Sequence, residues 1–210
     1  MANNYIELKD IESPQKGFEL CYEQPTPWEL GRPQKPFLAV ADRVVGPVLD
    51  AGCGTGNTSI YLAALGREVT GIDFVESALE KARAKASERG LNVRFLRRDA
   101  MTLADWDESF ASVIDSGLFH VYEGEARDLY VRGLRRVLRS GGRLFLLSFA
   151  ADAHEGGISL EQLARVFSDG WQVESVESVQ GEINPQFVAQ HPDAFPQEGP
   201  KMWFAVIRRA

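Results

Sequence analysis

The chain has 210 residues, enough for one well-buried α/β core and short for two, and its 44% hydrophobic and 25% charged content is that of an ordinary globular domain. A net charge of −7 disfavours a non-specific grip on nucleic-acid phosphates or anionic lipid, and the basic pairs Arg97-Arg98, Arg135-Arg136 and Arg208-Arg209 are scattered over different segments as solvated faces. Two cysteines, Cys21 and Cys53, make no disulfide framework, and no apolar run has signal-peptide or membrane-span length, so the expectation is a cytoplasmic protein without a membrane partner.

In chain order, residues up to about Thr26 form a polar leader in which Pro14, Pro25, Pro27, Pro33 and Pro36 interrupt any helix. Residues 1–34 are expected to be a covering segment, and residues 35–210 a single domain. Within the leader, Thr26-Pro27-Trp28-Glu29-Leu30-Gly31-Arg32 sets a large aromatic four residues before an arginine, either a packing face with a carboxylate-binding fork or an aromatic plug beside a surface arginine. Lys35 to Arg43 suits a short helix. Val48-Leu49-Asp50 is a buried strand running into the turn Gly52-Cys53-Gly54-Thr55-Gly56, and Thr58 to Leu65 is a helix stopped by Gly66.

Val69-Thr70-Gly71-Ile72-Asp73 is a second strand ending in an acid, followed by a helix from Glu76 to Ser87 with an acidic start and Gly90 just past its end. Val93 to Leu96 is a third strand, leading to Asp99-Ala100. Ala111 to Asp115 is a fourth, followed by the loop Ser116-Gly117-Leu118-Phe119-His120-Val121-Tyr122. The βαβαβ rhythm implies a parallel sheet with right-handed crossovers. A helix spans about Glu125 to Arg139 and ends at Ser140-Gly141-Gly142. Leu144 to Phe149 is a buried central strand, and Leu160 to Phe167 a helix. Trp171 to Val179 and Met202 to Ile207 are the last strands, and the proline-rich span between them, Gln180 to Lys201, is expected to be irregular.

Three alternate glycines delivered by a strand to a helix N-terminus bring bare backbone close to a ligand. The spacing separates the ligand classes. A dinucleotide fingerprint G-x-G-x-x-G needs a third glycine where this chain has Asn57, and Asp50 just before the turn suits a cationic ligand better than a polyphosphate. Asp73, roughly 20 residues beyond the first glycine, fits a carboxylate that accepts from ribose hydroxyls, or the N-cap of the next helix.

Asp50-Ala51-Gly52-Cys53-Gly54-Thr55-Gly56 resembles the first motif of the class I S-adenosylmethionine-dependent methyltransferases. The heptad from Thr26 to Arg32 resembles the Thr-Pro-Trp-Asp-x-Gly-Arg segment of their thiol and halide group, which folds over the cofactor. The resemblance runs from about Thr26 to the C-terminus and is most specific between Val48 and Asp115. It implies a Rossmann-like α/β fold with helices on both faces of a seven-stranded, mostly parallel sheet, closed by an antiparallel C-terminal hairpin. It also implies S-adenosylmethionine as cofactor, with S-adenosylhomocysteine as product. Carried over residue by residue, cofactor contacts fall on Trp28, Arg32, Asp50, Gly52, Gly54, Gly56, Asp73 with Phe74 beside it, Asp99 and Ala100 at the adenine, and Asp115 with Ser116. Asp99 also reads as a plain loop acid.

Methyl transfer from a sulfonium needs an aligned nucleophile in a desolvated pocket, and a base only for a hydroxyl or amine acceptor. His120, just beyond the fourth strand, is the candidate base, with a hydrogen-bonded structural histidine as its alternative. His154 and His191 are candidate rim residues or plain surface. The Asn/Asp-Pro-Pro-Tyr pattern of amino-methyltransferases is missing at Asp115-Ser116-Gly117-Leu118, and no metal site of clustered carboxylates assembles. The expected partner is a small-molecule acceptor, a thiol, halide, or phenolic or heterocyclic hydroxyl, on a monomer or homodimer. Thiol/halide methyltransferases and bacterial methyltransferases of quinones and heterocyclic phenols are the nearest resemblances, and Phe18, Tyr22, Phe119 and Tyr122 could line an aromatic pocket. A non-catalytic cofactor-binding sensor or partner domain, and an NAD-dependent oxidoreductase, are the alternatives.

Overall fold

The apolar runs all enter one sheet. In the computed structural model, which describes residues 14–153 and 156–210, the strands are β1 (Val48–Ala51), β2 (Val69–Asp73), β3 (Arg94–Arg97), β4 (Phe110–Ser116), β5 (Leu138–Phe149), β6 (Trp171–Gln180) and β7 (Lys201–Arg209). Their order is β3-β2-β1-β4-β5-β7-β6. The first five pair in parallel, and β7 lies antiparallel between β5 and β6. This is the seven-stranded, mostly parallel sheet with an antiparallel C-terminal hairpin that the family resemblance implied. His154 and residues 1–13 lie outside the described residues.

The period-2 alternation of the strands sorts the core into two faces. Leu49, Ile72, Val113, Leu144 and Leu146 pack on one side with Tyr130, Leu134 and Val137 of the helix Gly124–Val137. Their neighbours Val48, Val69, Ile114, Phe145 and Leu147 pack on the other with Phe37 and Leu62. Each such side chain, removed from water, contributes roughly 1.5–3 kcal/mol. A parallel sheet needs this double cover because neither face can be left wet.

The helices are α1 (Pro14–Cys21), α2 (Lys35–Ala39), α3 (Asn57–Ala64), α4 (Glu76–Glu88), α5 (Gly124–Val137), α6 (Leu160–Val166) and α7 (Pro185–Gln190). Two of them differ from expectation. The leader does hold a helix, α1, because Pro14 stands at its first residue and Pro25 falls beyond its last. The proline-rich span holds α7, because Pro185 occupies its first turn and the Asn184 side chain accepts from Gln186 N–H. β5 begins six residues before the expected strand, at Leu138, so that Ser140-Gly141-Gly142 belongs to an irregular stretch of strand rather than to a helix end.

Among the described residues no helix is long and apolar enough to cross a membrane, and no group of His, Cys, Asp or Glu is arranged to hold a metal ion.

Candidate active site

Three carboxylates meet at the carboxyl edge of the sheet. Asp50 of β1, Asp73 of β2 and Asp115 of β4 are 2%, 8% and 0% exposed, and no cationic side chain forms a salt bridge with any of them among the described residues. Burial pushes the Asp50 carboxyl up to about 6 against the hydrogen bond from Ser59 Oγ at 2.6 Å, and the charge of Asp73 adds to the rise. Burial likewise raises Asp73, opposed by the N–H groups of Val75 and Gly54, each 2.9 Å from one of its oxygens. Asp115 is pushed up to about 7 by burial, although Tyr130 Oη donates to it at 2.8 Å and Leu118 and Phe119 N–H donate at 2.9 and 3.1 Å. Its carboxylate therefore organises the loop after β4, leaving Ser116, half-buried, to present backbone at the edge.

The glycine turn lies among these acids. Gly52, Gly54 and Gly56 all have positive φ, at 68°, 52° and 78°. A Cβ on Gly54 would lie 2.6 Å from Tyr22 Oη, and one on Gly52 would lie 3.0 Å from Leu118. One on Gly56 would lie 2.7 Å from Phe95 and 2.9 Å from Ala82, so the third glycine lets α4 and β3 pack against the turn.

The segment after α1 closes over the turn. Trp28 Nε1 donates to Tyr22 Oη at 3.3 Å, the Phe18 ring meets Trp28 at 5.9 Å and Phe74 at 5.7 Å, and Lys81 Nζ donates to the Tyr22 carbonyl at 2.5 Å. Glu29 accepts from Thr55 Oγ1, from Asn57 Nδ2 at 2.7 Å and from Lys85 Nζ at 3.2 Å, and Lys85 also donates to Thr55 Oγ1 at 2.7 Å. Burial would raise the Glu29 pKa, but these donors outweigh it and hold it below the usual value. Arg32 is turned away from the acids and forks onto Glu182 at 2.6 and 2.9 Å.

Asp99 is exposed and caps a 3-10 turn by accepting from Met101 N–H at 2.9 Å, with Ala100 buried beside it. His120 sits past Asp115 on the loop, its ring 4.3 Å from Phe149, whose backbone N–H donates to His120 Nδ1 at 3.4 Å. In the neutral ring that bond places the proton on Nε2. Phe149 in turn faces Phe195 at 6.5 Å. Arg127, buried, ties this loop down by donating to the Tyr122 carbonyl at 2.7 Å. Phe119, by contrast, is fully buried against Phe167 in the core.

A sheet of this order, with acids at its carboxyl edge and a glycine turn between them, defines the Rossmann-like methyltransferase fold. The comparisons agree. Residues 48–142 match the family model described as a methyltransferase domain. A 2-heptyl-1-hydroxyquinolin-4(1H)-one methyltransferase of Mycobacteroides abscessus is 34% identical over 191 residues, 87% of this chain and 81% of the relative. Thiocyanate methyltransferase 1 of Brassica oleracea is 29% identical over 82% of this chain and 79% of its own. A solved structure described as "Conversion of a Disulfide Bond into a Thioacetal Group during Echinomycin Biosynthesis" superimposes with a TM-score of 0.77, at 31% identity, over 93% of this chain and 92% of that one. The chain belongs to the class I S-adenosylmethionine-dependent methyltransferases, and S-adenosylmethionine is its cofactor.

The site fits that cofactor. Three buried acids that repel one another favour a cation beside them, and the sulfonium and ammonium of S-adenosylmethionine are cations. Neither the Glu29–Asn57–Lys85 cluster nor the Asp115–Tyr130 bond has a local sequence signal, because their members are contributed by segments far apart in the chain.

Proposed function

We propose that this methyltransferase modifies a small, flat acceptor, with a heterocyclic or phenolic hydroxyl ahead of a thiol or halide. The observation that carries this reading is the aromatic row His120, Phe149 and Phe195 beyond Asp115, at the edge where β4 and β5 end. These rings pack on one another, and an aromatic guest would stack on the outer face of the row rather than between its members. Two relatives act, by name, on a hydroxyquinolone and on thiocyanate, which brackets the same range of acceptors.

When bound, S-adenosylmethionine would supply an activated methyl, which the acceptor's nucleophile takes in line as the carbon–sulfur bond breaks and the neutral thioether of S-adenosylhomocysteine leaves. The chain's own part is to bind and align. Asp73 accepts from ribose hydroxyls, Asp99 and the backbone at Ala100 meet the adenine, and Asp50 and the turn from Gly52 to Gly56 face the amino-acid end. Phe74 packs at the ribose and adenine side, while Asp115 and Ser116 shape the floor. Residues 14–34, with Tyr22 and Trp28 foremost, cover the cofactor and exclude water, and Arg32 holds that segment to Glu182. His120 faces the acceptor.

The test is a methyl-transfer assay with purified protein and radiolabelled S-adenosylmethionine against 1-hydroxyquinolin-4(1H)-one, thiophenol, thiocyanate and iodide. Turnover is expected to be fastest with the hydroxyquinolone. Label transferred only to protein or nucleic acid, with none of the four acceptors methylated, would refute the proposal.

A further inference from the structure

The amino-terminal edge of the sheet, opposite the three carboxylates, carries a second charged feature. The β4–β5 ladder passes from Phe110 paired with Leu138 directly to Ser112 paired with Arg143, so residues 139–142 stand opposite Ala111 alone. Four residues facing one must loop out. Gly141 takes φ 76°, and a Cβ on Gly142 would lie 2.8 Å from the Ala111 carbonyl oxygen, so the two glycines permit the bulge. Beneath it opens a hollow of about 190 Å³ whose wall includes Arg43, Val45, Ser112, Arg139 and Arg143.

The charge in this hollow is unbalanced. Glu174 of β6 is the carboxylate that serves it: Arg143 binds it through Nε at 2.9 Å and Nη2 at 3.0 Å, Arg43 at 3.1 Å, and Arg208 stands at 3.9 Å. Arg139 has no carboxylate within salt-bridge distance among the described residues, its Nε donating to Ser109 Oγ at 3.3 Å. Three guanidiniums thus share Glu174 and a fourth, that of Arg139, has no carboxylate partner among the described residues, in a chain whose net charge is −7. The fully buried Ser112 hydroxyl accepts from Val45 N–H at 3.0 Å, and its own proton has no acceptor among the described residues. Ser140 Oγ donates to a terminal carboxylate oxygen of Ala210 at 3.3 Å.

We infer that this hollow is a binding site for a small phosphate-bearing anion of about diphosphate size, separate from the methyl-transfer site. Guanidiniums present forked donors that match phosphate oxygens. The volume corresponds to roughly six waters, the scale of a diphosphate group. A half-open hollow with positive charge concentrated at one point, on an acidic chain, suits a discrete anion rather than the extended stripe that a nucleic-acid backbone follows. The inference does not depend on the acceptor proposed above.

Calorimetric titration of the full chain with inorganic pyrophosphate at low ionic strength tests it. One saturable site is expected. Arg139→Gln, a change at an exposed position, is expected to weaken binding about five- to tenfold, and Glu174→Gln, which removes the competing carboxylate, to tighten it. S-adenosylhomocysteine affinity should be the same in Arg139→Gln and the natural protein, which also confirms that the variant is folded. The absence of saturable binding to the natural protein, equal affinity in Arg139→Gln, displacement of pyrophosphate by S-adenosylhomocysteine, or tighter binding of an oligonucleotide than of pyrophosphate would each overturn the site. The Arg139 comparison decides the matter even if Glu174→Gln does not fold.

Discussion

Asn57 Nδ2 donates to Glu29 Oε1 at 2.7 Å, joining the first residue of α3 to a segment 28 positions earlier in the chain. Through this bond and its companions from Thr55 and Lys85, residues 14–34, the proposed cover, are fastened to the glycine turn that is proposed to face the cofactor. Ordering of the cover and binding of the cofactor are therefore expected to be linked.

Glu29→Ala should loosen the cover without unfolding the domain. It removes a partly buried acceptor of four hydrogen bonds, from Thr55, Asn57, Lys85 and the Gly31 N–H, and leaves Lys85 without its carboxylate, a loss of about 1–3 kcal/mol. Limited proteolysis within residues 14–34 should speed up several-fold, with a smaller change in the global melting temperature. Because the Glu29 pKa is held below its usual value, the natural latch should persist above that value and weaken as pH falls beneath it. Cleavage at the natural rate in the variant would show that the contact does not hold the cover.

The parallel core was legible because β1, β2 and β4 are short, largely apolar runs that reach an acid at or near their ends, and the helices between them carry start and stop signals. Arg32 shows where legibility ended. Its spacing from Trp28 suggested a carboxylate-binding fork, and it does grip a carboxylate, but that of Glu182, 150 residues away. The bulge at 139–142 was hidden for a related reason: Ser140-Gly141-Gly142 reads locally as a helix stop, and only the pairing with β4 shows that the strand has already begun.

Asp73→Ala is expected to lose far more cofactor affinity than Asp99→Ala. Asp73 is buried and held by two backbone donors, so its carboxylate is fixed, and the proposed bonds from two ribose hydroxyls would be worth roughly 1.5–3 kcal/mol each. Asp99 is exposed and caps its own turn. Calorimetry with S-adenosylhomocysteine compares the two, and equal losses would argue against the assignment.

Asp50 should make cofactor binding depend on pH. Its carboxyl, pushed up to about 6 by burial, is ionised at pH 7.5 and largely protonated at pH 5.5. The ammonium of the amino-acid end, which Asp50 is proposed to face, favours the ionised form and is present in both ligands, so affinity for S-adenosylmethionine and for S-adenosylhomocysteine should fall by up to about tenfold per pH unit below 6. A steeper slope for S-adenosylmethionine alone would place the sulfonium, rather than the ammonium, beside Asp50. Calorimetric affinities that do not change with pH for either ligand would place both cations away from Asp50.

The Asp115–Tyr130 pair predicts a stability profile. Asp115, near 7 in the folded protein, lies above the ordinary carboxylate value of the unfolded chain, so its contribution is complete below about pH 4 and is lost as pH rises through 7. Asp50 acts in the same sense over a slightly lower window. Glu29 and Glu182, both lowered, act in the opposite sense but only at more acid pH. Melting temperature should therefore decline from pH 5 to pH 8, and Asp115→Asn should flatten that decline. A natural profile that climbs over this range would contradict the raised carboxyls.

His120 offers the sharpest test of how the acceptor is activated. Its position past Asp115 suggests a general base, yet its Nδ1 already accepts from the Phe149 N–H, so the neutral ring carries its proton on Nε2 and can donate a hydrogen bond there. A ring in that tautomer orients an acceptor that has already ionised, whereas action as a base through Nδ1 would first require breaking the bond to Phe149. His120→Ala is accordingly expected to lower kcat/KM by about tenfold, the worth of one hydrogen bond, with S-adenosylhomocysteine affinity unchanged. The deficit should be similar at every pH above the acceptor's own pKa. His120→Asn, whose amide can donate in place of Nε2, should recover part of the loss. A deficit of about 10² to 10⁴ that shrinks as pH rises and is not relieved by asparagine would instead identify a general base.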